Sequence, residues 1–342
     1  MFLVAFGWIL ASTGLAAGDR AVAQPAVVRA TRVIACQPGE DQRPAVVTGI
    51  SLSADGRTIA AATDDHRVTM WDAHTGQITA RLESHADWVR AVVVSHDGST
   101  LGSGAGDRSL CLWDAQRQEP LFQLPACENA IAAAAFHPNN QQVAVVGFSN
   151  RLTIVNTSTG QVSQELVCPC GDVRTVAFSA DGERMAVAGR SGKIRVWNVT
   201  SGARERDIET DGRRIRALSF SPDGRWLAAA GSSPVIRILD ATRGETVMTL
   251  NTRPAKVYSL AFVDHRRLAT GGTDNRIRVW DLESRQAVSQ LAGHTGTVAA
   301  LASSRDGSLL VSGSYDTTLR IWHLGDRPAA ATASREPAAA AH

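Results

Sequence analysis

Between residues 27 and 324 the apolar positions fall in short runs that alternate with polar ones. They do not take the i, i+3, i+4 spacing of an amphipathic helix, and no segment carries a helical period of any length. Val173 to Phe178 and Ile215 to Phe220 are runs of this kind, while Ile194-Arg195-Val196-Trp197 and Ile277-Arg278-Val279-Trp280 alternate strictly. After the first run of most units comes a turn of the form Ser-x-Asp-Gly: Ser53 to Gly56, Ser95 to Gly98, Ser179 to Gly182, Ser221 to Gly224 and Ser304 to Gly307. Asp-Gly supplies the positive φ angles that a tight hairpin needs. A second run, such as Trp226 to Ala230, then a third, a Gly-containing turn and a fourth complete the unit. The pattern predicts small antiparallel sheets of four strands.

The unit repeats. Trp71-Asp72 recurs as Trp113-Asp114, Trp197-Asn198, Trp280-Asp281 and Trp322-His323, with Val155-Asn156 and Leu239-Asp240 filling the gaps. Successive copies are 42, 42, 42, 42, 41 and 42 residues apart. Seven copies at a nearly constant period predict a repeat architecture rather than the two domains that length alone suggests.

The two ends read differently. Phe2 to Leu10 is almost wholly apolar, Ala11 to Ala17 stays small, and Ala21-Val22-Ala23 gives a small-x-small pattern before Gln24. Residues 1–23 therefore read as a secretory signal peptide, which would export the mature chain to the periplasm or the medium. An uncleaved anchor and a misassigned start are the alternatives; with a false signal the protein would be a cytoplasmic scaffold. Residues 24–324 form the repeat domain, and residues 325–342, rich in Ala and Pro, read as a disordered tail.

Composition narrows the function. Apolar residues make up 44% and charged residues 20%, as in ordinary soluble globular proteins. The net charge of +2 gives no field that would favour nucleic acid. Lys193 and Lys256 are the only lysines, an Arg bias that points to a GC-rich, bacterial genome. No H-E-x-x-H, G-x-S-x-G or phosphate-cradling Gly loop is present. The expectation is a chain that is no enzyme and carries neither cofactor nor metal; a propeller hydrolase or oxidoreductase with an unrecognised pocket is the alternative.

From about Val27 to Leu324 the chain resembles the WD-repeat family, on the Trp-Asp endings, the Asp-Gly turns and the period together. The resemblance implies an all-β fold, a seven-bladed β-propeller with four antiparallel strands per blade. The seventh copy stops after its third strand, at Trp322, and a spare β-rich segment, Val27 to Ala35, precedes the first copy. That segment is expected to pair as the outer strand of the last blade and close the ring, removing open edges.

Two copies carry a Ser, His and Asp in common: His85, Ser103, Asp107 and Trp113, then His294, Ser312, Asp316 and Trp322. The set imitates a hydrolase triad. Trp only donates, Ser and His do both, and Asp accepts, so the four residues form a directed chain from Trp to Ser to His to Asp. It matches the hydrogen-bond tetrad of WD-repeat proteins and reads as scaffold. Copy one keeps Asp65 and Trp71, copy six keeps Thr270, Asp274 and Trp280, and copies three to five lack the Asp and are expected to be looser. His66, His74, His96, His137, His265 and His323 read as solvated turn residues.

In WD-repeat proteins the residue after the first apolar residue of the inner strand faces the channel mouth. Here that implies Thr48, Arg90, Ala132, Arg174, Arg216, Tyr258 and Ala299. Neighbouring loops add Trp88, Arg214 and Lys256, with Asp172 opposing them. The residue before the tetrad Asp position gives Phe148, Arg190 and Tyr315. Arg90, Arg174, Arg216, Tyr258, Trp88, Tyr315 and Phe148 are the candidate partner-binding residues, because guanidinium groups among exposed aromatics recognise carboxylate or phosphate. The expected function is a non-catalytic scaffold for protein–protein interaction, with an acidic peptide as partner. Cys127, Cys168 and Cys170 fall in inter-blade loops; a loop-to-loop disulfide, free thiols and a metal site all stay open, while Cys168-Pro169-Cys170 is too short for an easy internal bridge.

Overall fold

A computed structural model describes residues 25–36, 43–125, 127–252 and 255–325. The expected export segment and all but the first residue of the tail lie outside them. The described residues contain 29 strands and no helix, arranged as seven sheets. In blade 1 the strands run Val47–Leu52, Thr58–Thr63, Arg67–Asp72 and Ile78–Glu83, each antiparallel to the last. The inner strands of the other blades are Val89–Val94, Ile131–Phe136, Val173–Phe178, Ile215–Phe220, Val257–Phe262 and Val298–Ser303.

A turn after each inner strand sets the hairpin. In Ser53 to Gly56 the Gly56 amide donates to Ser53 O at 2.9 Å, Ser53 Oγ donates to Asp55 Oδ1 at 2.6 Å, and the Thr58 amide donates to Ser53 Oγ at 2.9 Å. The same bonds recur around Ser95, Ser179, Ser221 and Ser304. Only the glycine has positive φ, +71° at Gly56, where two such angles were expected. The Asp serves as acceptor instead, so the turn is of the five-residue kind built on one left-handed residue. At the other end of the blade, the Asp or Asn that follows the Trp position caps the next turn: the Thr75 amide donates to Asp72 Oδ1 at 2.7 Å, and the Thr159 amide to Asn156 Oδ1 at 3.0 Å.

Apolar faces of adjacent blades bury each other, in clusters that span one blade and the next. Val68, Met70 and Trp113 share one; Ala144, Val187 and Trp197 share another. Backbones approach closely where the second strand carries glycine. A Cβ on Gly313 of blade 7 would sit 2.4 Å from Val47 Cγ1 of blade 1 and 2.6 Å from Ile50 Cδ1, so the last blade seats the first only because that side chain is missing.

The ring is closed by the N-terminal segment, in two pieces rather than one. Strand β1 (Ala26–Arg29) lies parallel to Gln286–Ala292 and adds a fifth strand to blade 6. Strand β2 (Arg32–Ala35) pairs antiparallel with Thr318–His323 and is the outer strand of blade 7. Closure by the N-terminal strand holds, but only residues 32 to 35 supply it. Ile34 packs with Leu319, Ile321 and Ile59, and Arg32 donates to the carbonyls of His74 (2.6 Å) and Thr75, in the last hairpin turn of blade 1. One short strand thus ties blade 7 to blade 1.

Candidate functional site

In every blade the inner pair of strands slips by one residue at the same place. Val47 pairs with Thr63 and Gly49 with Ala62, which leaves Thr48 unpaired. The skipped residues of the other six blades are Arg90, Ala132, Arg174, Arg216, Tyr258 and Ala299. These are the seven positions expected to face the channel mouth. A β-bulge bends its strand and re-aims the extra side chain. Seven bulges at one level aim seven side chains at the axis, and all seven line a single cavity of about 530 Å³.

Trp88, Phe148 and Tyr315 line the same cavity, so the structure brings all seven candidate partner-binding residues together. Arg190, Arg214 and Lys256 do not line it. The guanidinium groups lie over aromatic faces. Arg90 Cζ is 5.6 Å from the Trp88 ring centre and 5.4 Å from that of Phe148; Arg174 Cζ is 4.0 Å from Phe148, and Arg216 Cζ 4.5 Å from Tyr258. Phe148 is therefore shared by two arginines, which bridges the small Ala132 between them. Each contact contributes on the order of 0.5–2 kcal/mol and fixes the orientation of a side chain that would otherwise be mobile.

Charge around this collar is unbalanced. Arg174 donates to Asp172 Oδ2 at 2.6 Å. Among the described residues Arg90 and Arg216 have no carboxylate within ion-pairing distance, and Nε of Arg90, Arg174 and Arg216 has no hydrogen-bond acceptor. Buried donors without partners are costly. Burial and the nearby Tyr258 raise the Tyr315 hydroxyl above its ordinary range, against the pull of Arg216 and Arg90, so it stays a neutral donor at the rim. Tyr315 and Trp88 are 49% and 44% exposed, the two aromatic side chains most open to a partner here.

Both tetrads form as directed chains. Trp113 Nε1 donates to Ser103 Oγ at 2.9 Å, His85 Nε2 lies 2.8 Å from Ser103 Oγ, and His85 Nδ1 lies 3.1 Å from Asp107 Oδ2. In the last blade the matching distances are 2.9 Å from Trp322 to Ser312, 2.8 Å from His294 to Ser312 and 2.8 Å from His294 to Asp316. Because tryptophan only donates, the Ser proton goes to Nε2, and His carries its own on Nδ1 toward Asp. Each Asp also accepts a loop amide, from Ala86 or Thr295, which ties the loop between blades to the sheet. Only 1% of either His side chain is exposed. Burial holds both imidazoles below their ordinary value despite the adjacent carboxylate. Burial alone would raise the Asp316 carboxyl, but bonds from Thr318, the Thr295 amide and His294 outweigh it and hold it at about 2. The Ser oxygen is buried and spent on two partners, which leaves no nucleophile facing a ligand.

The incomplete copies are filled in other ways. In blade 6 Trp280 Nε1 donates to Thr270 Oγ1 at 3.0 Å. In blade 5 Asp211 stands at the His position and Ser233 at the Asp position, so the polarity is reversed: Ser233 Oγ donates to Asp211 Oδ2 at 2.7 Å, and Arg237 completes the pair at 3.2 Å. Blade 4 carries no such chain. Cys168 and Cys170 fill the space side by side, with Cα atoms 5.1 Å apart, packed among Ala144, Val146, Met185 and Trp197. The chain turns at Pro169, which brings the two sulfurs together. Cys127 is not part of the pair, and burial pushes its thiol up to about 11. His137 is no solvated turn residue either: its Nε2 lies 3.0 Å from Gly182 O and its ring stands edge-on to Phe178.

Comparison with known proteins agrees with this architecture. Residues 46–231 match the family model of the IFT122 first β-propeller, residues 207–265 that of the anaphase-promoting complex subunit 4 WD40 domain, and residues 285–323 that of the WD domain, G-beta repeat. Over 52 residues the chain is 42% identical to a U3 snoRNP-associated protein-like protein, EMB2271, of Arabidopsis thaliana. That alignment covers 15% of this chain and 11% of the plant protein. With seven blades closed into a ring, six of four strands and one of five, and a family model matched across more than half its length, the chain belongs to the WD-repeat family of β-propeller proteins.

Proposed function

We propose that the protein is a non-catalytic interaction module that captures an acidic segment of another protein at the mouth of its channel. One observation carries the reading: the Arg90 and Arg216 guanidinium groups lie over aromatic rings at the mouth and lack carboxylate partners among the described residues. A carboxylate from a partner supplies the missing acceptor, in a setting where water is partly excluded and charge-assisted bonds are strong. Trp88 and Tyr315 at the rim offer the amphipathic area that binding hot spots use. The partner belongs to the periplasmic or extracellular space if residues 1–23 direct export, and N-terminal sequencing of the mature protein checks that condition.

The test is a pulldown from the source cell extract with the wild type and a variant carrying Arg174→Ala, Arg216→Ala and Tyr258→Ala together. Loss of partners with an unchanged melting profile supports the reading, and an unchanged set of partners refutes the location.

A further inference from the structure

Three positions in each blade stand at the mouth end of the sheet: the loop residue just before the inner strand, the bulge residue of that strand, and the residue that follows the second strand. In blades 4 to 6 these positions hold Arg174, Arg190, Arg214, Arg216 and Lys256 against Asp172 alone. In the other four blades they hold one cation, Arg90, and one carboxylate, Asp64. Backbone bonds fix the placement: the Arg190 amide donates to Asp172 O at 3.2 Å, the Ser232 amide to Arg214 O at 2.9 Å, and the Thr273 amide to Lys256 O at 3.1 Å. The positive charge of this face is thus gathered on one side of the channel.

The carboxylates of this sector are already bound to other cations. Asp172 lies 2.6 Å from Arg174, Glu209 2.8 Å from Lys193, Asp211 3.2 Å from Arg237 and Asp274 2.7 Å from Arg278. Among the described residues no carboxylate stands within ion-pairing distance of Arg190, Arg214, Arg216 or Lys256. Arg190 and Lys256 are exposed and Arg214 is half-buried. Like charges gathered in this way repel one another, and a bound polyanion relieves the repulsion.

A single carboxylate at the mouth engages Arg216 and leaves Arg190, Arg214 and Lys256 unmatched. A segment that carries several carboxylates matches all four. We propose that the acidic segment of the partner runs from the mouth outward across blades 4 to 6, as an extended stretch with several carboxylates, and not across blades 7 to 3. This rests on the reading of the mouth as the partner site and gives the segment its charge and its direction. A phosphate chain is the other polyanion of this kind. A protein of net charge +2, with its open cations confined to one sector, lacks the long basic track that nucleic acid requires.

Fluorescence anisotropy with the full chain tests it on three labelled probes: a peptide in which four glutamates alternate with serine, the same peptide with three of the glutamates replaced by glutamine, and an oligothymidylate of equal length. The four-glutamate peptide should bind about tenfold more tightly than the one-glutamate peptide, an advantage that falls steeply as salt is raised. Arg190→Ser, Arg214→Ser and Lys256→Ser together should remove that advantage with an unchanged melting profile, and Lys256→Glu alone, at an exposed site, should weaken binding severalfold. Arg117→Ser, Arg243→Ser and Arg305→Ser take the same charge from exposed turns of the opposite face and should leave the advantage intact. Equal loss in both of these triple variants, or equal binding of the two peptides to the wild type, overturns the inference. Binding that survives the first triple variant but is lost with Arg174→Ala, Arg216→Ala and Tyr258→Ala overturns the path across blades 4 to 6 while acidic capture at the mouth stands. Oligothymidylate that binds more tightly than the four-glutamate peptide, and is lost in the first triple variant, overturns a polypeptide partner in favour of a polynucleotide. Binding of neither peptide overturns the inference, and the pulldown then decides acidic capture separately.

Discussion

The Arg216 guanidinium lies 4.5 Å over the ring of Tyr258, although the two residues come from neighbouring blades 42 positions apart. Both occupy the bulge of their inner strand, and the bulge brings them face to face. The planar group matters as much as the charge. Lysine keeps the charge but neither stacks nor presents a planar fork. Arg216→Lys is therefore expected to lower capture of the partner about tenfold or more while leaving the melting temperature within a degree or two. Quantitative pulldown beside a thermal melt checks this, and full retention would mean that charge alone suffices.

Ser312 sits between Trp322 and His294 and serves both. Ser312→Ala leaves a buried indole N–H and a buried imidazole nitrogen unpaired, at about 1–3 kcal/mol for each group. Chemical denaturation should show that loss in the midpoint with an unchanged slope. Blade 1 already carries Ala61 at the equivalent position, so the reverse change, Ala61→Ser, should recover much less, since the His that would accept its proton is Arg43 there.

The tetrads also make stability depend on pH. His85 and His294 are held below the ordinary imidazole value, chiefly by burial. The unfolded chain therefore binds more protons than the folded one once the pH falls below about 6.5. Their contribution is fully present above that pH and is lost as the pH falls through the lower folded values. Asp316, held at about 2, keeps its own contribution until far lower pH. The melting temperature should be flat from pH 8 to 7 and fall from 6.5 to 5. A flat or rising profile across that window would contradict the neutral, buried assignment.

Closure rests on few residues. β2 supplies the outer strand of blade 7, and Arg32 reaches the last turn of blade 1. Deletion of residues 24 to 36 is expected to abolish cooperative unfolding, because blade 7 loses its edge strand and its tie to blade 1. A truncated protein that melts like the full chain would show that the ring holds without this strand.

The number of blades and the strand runs were legible in the sequence because the repeat imposes them seven times, and the mouth positions followed from the resemblance to WD-repeat proteins. Val173 to Phe178 and Ile215 to Phe220 are strands at the bounds their patterns suggest. The bulge that aims Arg90 or Tyr258 at the axis was not legible, since a one-residue slip leaves the alternation of a six-residue run almost unchanged. The split of the N-terminal segment was equally hidden. Val27-Val28 and Val33-Ile34 have the same apolar character, and which sheet edge each one meets is decided by tertiary contacts. Blade 5 shows the remaining limit: Asp211 and Ser233 exchange the donor and acceptor roles of a tetrad, so a search for the His and Asp passes over the bond they make. The sharing of Phe148 by Arg90 and Arg174 joins side chains 58 and 26 positions from it, and no local pattern records it.

The measurement that bears most directly on the channel mouth as partner site is site-specific photocrosslinking in source cell extract. A photoreactive phenylalanine analogue replaces Tyr315 at the rim of the channel mouth in one sample, and Val167, on the outer strand of blade 3, in another. The account predicts a discrete crosslinked partner from position 315, absent from position 167, with the attached peptide carrying Asp or Glu. A partner that crosslinks from position 167 and not from position 315 would contradict it.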